Sequence, residues 1–394
     1  MLPTRVFLLR FIVIAALAFS VGCETRDLTT PIAEAETRPT PEPGTTITFA
    51  AVGDIMLGST SINDTFLPPN DGRDILKPVT PILSSADITF GNLEGPMLDG
   101  GKSEKCADTS SKASNTDSNA VPIPSPTPST SSAKPIRCFA FRVPTRYGQY
   151  LKDAGFDVLS LANNHASDFG DYGRESTRKT LDALGIKYAG SDRTRYSTAY
   201  LDVKGVRIAV VGFAHNAIVP NVNEINAAKQ LVAAAKKKVD VVIVSFHGGA
   251  EGEKAQNVPR QTEIFAGEKR GNLPLFAHSV IDAGADLVLG HGPHVLRGME
   301  VYKGKLIAYS MGNFATYGMF NLKGPQGIAG IFQFTLDPEG NFVSGKIIPT
   351  RQEGRGGPVL DDTGTAIKQL RQLSLADFGN SSPKMTDDGT LTID

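Results

Sequence analysis

The sequence describes an α/β protein whose β-structure is buried on both faces. Short, nearly continuous apolar runs alternate with amphipathic stretches from Ile47 to Phe314, a pattern of strands covered by helices. "AGFDV" and "AGADL" each show a helix closing at glycine before the next strand begins. A chain of 394 residues has ample length to bury a large core.

The N-terminus comes first. "MLPTRVFLLRFIVIAALAFSVGC" carries Arg5 and Arg10, then an apolar run from Phe11 to Phe19, then small residues before Cys23. This is the layout of a secretory signal peptide, and the apolar stretch is shorter than the roughly 20 residues a membrane span needs. Ser20-Val21-Gly22-Cys23 resembles the lipobox of bacterial lipoproteins, with Ser20 in the place of the usual leucine. The expectation is a leader over 1–23, lipidation at Cys23 and export to the extracytoplasmic face of the envelope. Residues 24–46 are polar and proline-bearing, and read as a disordered tether.

From Ile47 the runs follow in order. "ITFAAVGD", "DITFGNLE", "FDVLSLANNH", "RIAVVGFAHN", "VDVVIVSFHGG", "ADLVLGHGPH" and "LIAYSMGNF" read as strands. "TRYGQYLKDAG", "ESTRKTLDALG", "EINAAKQLVAAAKKK" and "LPLFAHSVIDAG" read as helices between them. Past Phe314 the pattern turns to antiparallel alternation around the turn "DPEG". A short helix over Thr365–Leu373 and a flexible polar tail over 379–394 end the chain.

One segment stands outside this grammar. Between Cys106 and Cys138 lies a stretch rich in Ser, Thr, Pro and Asn, too polar to offset its own ordering entropy. It reads as a disordered insertion at about 107–137, pinched at its base by a Cys106–Cys138 disulfide, which an exported compartment permits.

The 40 Lys+Arg against 41 Asp+Glu leave no global field for a polyanion, no basic stripe is interleaved with aromatics, and tryptophan is absent. Nucleic acid is therefore not an expected partner. The strand ends are more informative. They deliver Asp54, Asn92 and Glu94, Asn163-Asn164-His165, His215, His247 and Glu251, His291 and His294, and Asn313. Five of the six histidines fall at such ends; only His278 sits within a helix. In α/β sheets sites form at the carboxyl ends of strands. A single histidine there is ordinarily structural, and Asn163-Asn164 capped by His165 also reads as a turn. Five histidines on one edge favour a polar site that binds a metal or handles phosphate. Asp, Glu, Asn and His suit hard to borderline divalent cations such as zinc, manganese or iron. Gly53, Gly91, Gly290 and Gly312 beside them would let backbone approach a bound group. Asp168 and Asp171 read as turn and helix-start residues.

"AAVGDIMLG", "NLEGPM", "SLANNHASDFGDYG", "SFHGGAE" and "GHGPHVLRGMEVYKGKLIAYSMGNF" resemble the bacterial CapA family of poly-γ-glutamate capsule synthesis proteins, from about Ile47 to Phe378. That family is similar in fold to the calcineurin-like metallophosphoesterases, which implies a four-layer αββα domain over 47–378. The resemblance implies Asp54 as first metal ligand, Asn92 or Glu94 in the bridging-carboxylate place, and Asn164, His247 and His291 as further ligands. His165 would be the general acid or transition-state electrophile. The sequence departs at Met56, where a histidine is usual, and "GHGPH" carries one residue more than the closing Gly-His-x-His. One ion or two remain open, with Glu251, His294 and Asn313 as additional candidates. The implied partners are an anionic polymer or another envelope substrate, and capsule-synthesis membrane proteins. The rival readings are a metal-dependent hydrolase of an envelope phosphoester or amide, and a lipoprotein that only binds polymer.

Overall fold

Strand alternation accounts for the layering, because successive side chains of a strand leave on opposite faces. The computed structural model describes residues 40–106 and 139–393. The leader, Cys23, the insertion and Cys138 lie outside the described residues.

The chain opens with β1 (Ile47–Met56), the short α1 (Thr80–Leu83) and β2 (Ile88–Leu93). Next come α2 (Gly148–Asp153), β3 (Val158–Ser160), α3 (Gly170–Leu184) and β4 (Lys187–Ala189). The second half begins with β5 (Thr198–Val203), β6 (Val206–Ala214), α4 (Ile225–Lys236) and β7 (Val241–His247). A hairpin of β8 (Glu263–Phe265) and β9 (Glu268–Gly271) precedes α5 (Leu273–Asp282) and β10 (Leu287–His291). Then follow β11 (Met299–Tyr302), β12 (Lys305–Ala308), β13 (Asn313–Thr316), β14 (Ile328–Leu336), β15 (Phe342–Gln352) and β16 (Pro358–Leu360). The described chain closes with α6 (Thr365–Phe378), β17 (Lys384–Met385) and β18 (Thr390–Thr392).

Two sheets result. One runs β17-β18-β15-β14-β1-β2-β3-β4, with β13 also on β1 and β16 on β15; the other runs β11-β12-β10-β7-β6-β5. Ile47, Phe49 and Ala51 of β1 enter the core between the sheets, where Val241 and Ile243 of β7 and Leu287 and Leu289 of β10 meet them. Ala50 and Val52 of β1 face the other way, under Leu151 of α2 and Leu181 of α3. Val242 and Val244 of β7 likewise pack with Val232 of α4 and Val280 of α5. Both faces of each central strand are thus dry, which explains the continuous apolar runs. The order is α, β, β, α, the four layers the resemblance implies.

Local signals behave as their chemistry requires. Asn272 caps α5, its side chain accepting from Leu275 N at 3.2 Å. Gly155 and Gly284, the glycines of the two helix stops, hold φ of 94° and 111°, which a side chain would resist. β14 and β15 pair antiparallel about the Asp337–Gly340 turn. Among the described residues no helix is long and apolar enough to cross a membrane.

The tail requires a correction. Residues 379–394 were expected to fray, yet β18 pairs with β15 and Leu391 is fully buried in the core between the sheets. The folded unit therefore extends past Phe378 through β18. The reason is local: two short strands around "DDG" have too few apolar residues to signal, and β15 supplies their partner. α6 likewise continues beyond the expected Leu373 to Phe378.

Candidate metal centre

Strand register builds the site. Asp54 at the end of β1 stands opposite Asn92 of β2 on one side and Asn313 of β13 on the other. In the second sheet His291 of β10 stands opposite His247 of β7. The carboxyl edges of both sheets thus contribute to one centre, where a topology of this kind places ligands.

The glycines serve a different purpose from the one expected. A Cβ on Gly53 would lie 1.9 Å from Gly312 O, and one on Gly290 would lie 2.3 Å from Tyr309 O. Their absent side chains let the protein's own backbones close on each other around the site, rather than admitting a bound group.

Asp54, Glu94 and His294 each present one atom within 4.8 Å of the others, all three buried. His294 Nδ1 lies 3.0 Å from Asp54 Oδ2 and 3.1 Å from Asn313 Oδ1, while its Nε2 lies 3.6 Å from Glu94 Oε1. Its backbone is left-handed, with φ 58°, a conformation that costs on the order of 1–3 kcal/mol away from glycine. Asn313 Nδ2 donates to His294 O at 3.2 Å and helps hold that turn. His291 Nδ1 is 3.4 Å from Asp54 Oδ1, and His247 Nε2 is 4.0 Å from Glu94 Oε1.

Both oxygens of Glu94, both ring nitrogens of His247 and of His291, and Asn164 Oδ1 are buried without a hydrogen-bond partner among the described residues. Buried polar atoms are otherwise almost always satisfied, so this concentration points to a ligand-binding role. Two carboxylates, three imidazoles and an amide oxygen form a donor set that suits a borderline divalent cation. The electrostatics agree. Burial pushes the Glu94 carboxyl well above its ordinary range, partly offset by His294 and reinforced by Asp54. Burial opposes charge on Asp54 too, but the neighbouring imidazoles of His291 and His294 hold it well below the usual carboxylate range. Burial also keeps His247 neutral, well below its ordinary value, with its lone pair free. On His294 burial is outweighed by Glu94 and Asp54, which hold it up at about 10. This is the balance of a site short of positive charge.

Asn92 has a supporting part. Its Nδ2 donates to Asp54 Oδ1 at 2.8 Å, and its Oδ1 accepts from Asn163 Nδ2 at 3.1 Å. Asn163 Oδ1 in turn accepts from His165 N at 3.0 Å. One amide chain therefore runs from Asp54 to His165, and the Asn163–His165 segment is at once a turn and part of the site.

Around His165 the structure adds residues that the sequence reading left out. Asp168, assigned to the turn alone, is fully buried with Oδ2 at 2.8 Å from His165 Nδ1. Lys105 Nζ pairs with Asp168 Oδ1 at 3.0 Å and lies 3.2 Å from His165 Nδ1. Phe141 stacks on the imidazole at 4.1 Å between centroids, and its N–H donates to Asp168. Burial pulls His165 below its ordinary pKa, Asp168 opposing the fall and Lys105 adding to it. The i, i+3 spacing of His165 and Asp168 was a usable signal. Lys105 and Phe141 flank the insertion and carried none.

Glu251 lies at the rim, its Oε2 4.0 Å from His294 Nε2 and its Oε1 2.9 Å from Arg270 Nη1. His215 lies beyond, 3.3 Å from Glu268. His278 is elsewhere, paired with Glu300 at 3.0 Å and stacked on Tyr302. Cys106 is disulfide-bonded, and Cys138 lies outside the described residues.

Two facing sheets clad in helices, with a buried carboxylate–imidazole cluster at their shared carboxyl edge, define a four-layer αββα protein. The chain belongs to the bacterial capsule synthesis protein family PGA_cap, whose model matches residues 48–317. The capsule biosynthesis protein CapA of Bacillus anthracis is 29% identical over 346 residues, covering 82% of this chain and 72% of that protein. The PGA biosynthesis protein CapA of Bacillus subtilis (strain 168) is 32% identical over 281 residues, 67% of this chain and 61% of that one. Among solved structures, a putative 5'-nucleotidase from Staphylococcus aureus aligns over 84% of this chain and 58% of its own, at 13% identity and a TM-score of 0.41. The chain thus spans about three fifths of the Bacillus subtilis protein and of the nucleotidase.

Proposed function

We propose that this protein acts outside the cytoplasm in the synthesis, export or attachment of an anionic capsule polymer of the poly-γ-glutamate type, through a metal-assisted site. The observation that carries the reading is the set of partnerless buried atoms on Glu94, His247, His291 and Asn164 beside the Asp54–Glu94–His294 cluster. Asp54, Glu94 and His294 would hold a divalent cation, with His247, His291 and Asn164 Oδ1 as the further donors. Glu94 rather than Asn92 would be the ligand from the end of β2, because both ends of the Asn92 amide are already engaged by protein. When bound, such a cation supplies Lewis-acid polarisation of an acyl or phosphoryl oxygen.

The protein's own groups do the rest. Asn92 and Asn313 orient Asp54 and His294. Asp168 and Lys105 engage His165 at Nδ1, which leaves Nε2 as the nitrogen that exchanges a proton with the reacting group. Phe141 fixes the ring plane. The family's link to capsule polymer supports the substrate class, and the leader ending at Cys23 supports a lipid-anchored, extracytoplasmic location. Cys23→Ser should release the protein from the membrane fraction, and unchanged fractionation would contradict the anchor.

Elemental analysis of the purified full chain tests the core of the reading. Asp54→Ala or His294→Ala should lower metal occupancy. His165→Ala should keep the metal and lose turnover by about 10²–10⁴-fold, the usual contribution of a positioned acid or base. Poly-γ-glutamate and phosphoester substrates assayed side by side separate polymer chemistry from a general envelope hydrolase. A wild-type chain that takes up neither zinc nor manganese, with all variants still supporting polymer production, would leave a polymer-binding lipoprotein as the better account.

A further inference from the structure

We infer that Arg270 limits the centre to one cation by withdrawing Glu251 from it. The inference rests on the metal-site reading above and goes further, to the number of ions and the residue that sets it.

Arg270, the residue before the end of β9, is only 3% exposed at its side chain and lies between two glutamates. Its Nη1 lies 2.9 Å from Glu251 Oε1 and its Nη2 lies 2.9 Å from Glu268 Oε2. His215 Nε2 stands 3.3 Å from that same Glu268 oxygen, and the guanidinium lies over the Phe265 ring at 5.3 Å. Glu251 reaches toward the centre with its other oxygen, yet stops 4.0 Å from His294 Nε2. It does not join the group in which Asp54, Glu94 and His294 converge.

Charge counting gives this arrangement its meaning. Asp54 and Glu94 bring two negative charges, and the imidazoles bring none when they act as donors. One divalent cation balances that set. A second needs another carboxylate, since buried charge is tolerated only when compensated. Glu251 is the rim carboxylate that reaches toward the centre, but its other oxygen is already paired with a buried guanidinium that cannot deprotonate. Arg270 also repels a second cation directly, because its guanidinium lies 2.9 Å from the Glu251 carboxylate that faces the centre. A glutamate bound in this way can orient a water molecule or substrate group beside His294 without becoming a ligand.

The test is metal stoichiometry, read by elemental analysis and by manganese electron paramagnetic resonance on the full chain after reconstitution with Mn²⁺. The wild type should hold one ion per chain, with an uncoupled spectrum. Arg270→Met should raise affinity for a second ion by about 10–100-fold, the scale on which groups beyond the ligands tune a site. A spin-coupled pair should then appear. Arg270→Lys, which keeps the charge, should stay at one ion. Glu251→Gln in the wild-type background should also leave one ion, and this variant decides the matter even if Arg270→Met does not fold. Two ions in the wild type, a fall in occupancy on Glu251→Gln, or a folded Arg270→Met chain that still holds one ion overturns the inference. No ion in any variant overturns the metal-site reading along with it.

Discussion

Arg297 is fully buried, and it is the largest such side chain among the described residues. It lies three residues beyond His294 and makes a two-pronged pair with Glu263 of β8, both contacts at 2.8 Å. The same guanidinium donates to Ala255 O at 2.7 Å and to Ala250 O at 3.2 Å, while Ala250 N donates to Glu263. The pair therefore pins the segment after His247 that carries Glu251. Arg297→Met removes the charge at similar length. Glu263, 8% exposed, would then be a carboxylate without its cation. Breaking one side of a buried pair costs about 3–5 kcal/mol, most of it the stranded charge. Ala250 and Ala255 are only half-buried, so water can replace the donors their carbonyls lose. The double variant Arg297→Met/Glu263→Leu strands no charge and should lose only about 1–2 kcal/mol in hydrogen bonds. It should therefore be more stable than Arg297→Met alone. Urea unfolding of the three proteins, with m-values compared, measures this. A single variant that loses under about 1 kcal/mol, or a double variant that loses more than the single, would refute the assignment of the cost to the stranded Glu263 charge.

The C-terminal strands give a second prediction: Leu391→Ala should cost roughly 2–5 kcal/mol, as for other buried leucines, and backbone amides of β18 should resist hydrogen exchange. Fast exchange there with unchanged stability would return the tail to a frayed segment. The disulfide gives a third. Non-reduced peptide mapping of exported protein should link Cys106 to Cys138, and free alkylation of both thiols would rule that bridge out. Deleting 109–134 should leave the fold intact at little cost, because loop-closure entropy changes slowly with length; a large drop in melting temperature would contradict this.

Much of the architecture was legible in the order of residues. β1, β2, β6, β7 and β10 were visible because both faces of each are buried, which makes their sequences apolar throughout. β8, β9, β17 and β18 were not, because a two- to four-residue strand carries almost no periodicity and depends on its partner. The histidines and carboxylates at strand ends were legible for a similar reason: a polar residue that terminates an apolar run stands out. Their roles were not. Asn92 and Asn313 offer the same atoms as a ligand would, and only register and hydrogen bonding show that protein groups already engage them. Asp168, Lys105 and Phe141 reach His165 from three separate segments, and Arg270 meets Glu251 from a hairpin that left little trace in the sequence. Periodicity and residue type are local properties that the chain order carries directly. Which charge meets which is set by distances between segments far apart in sequence, and only folding brings those into being.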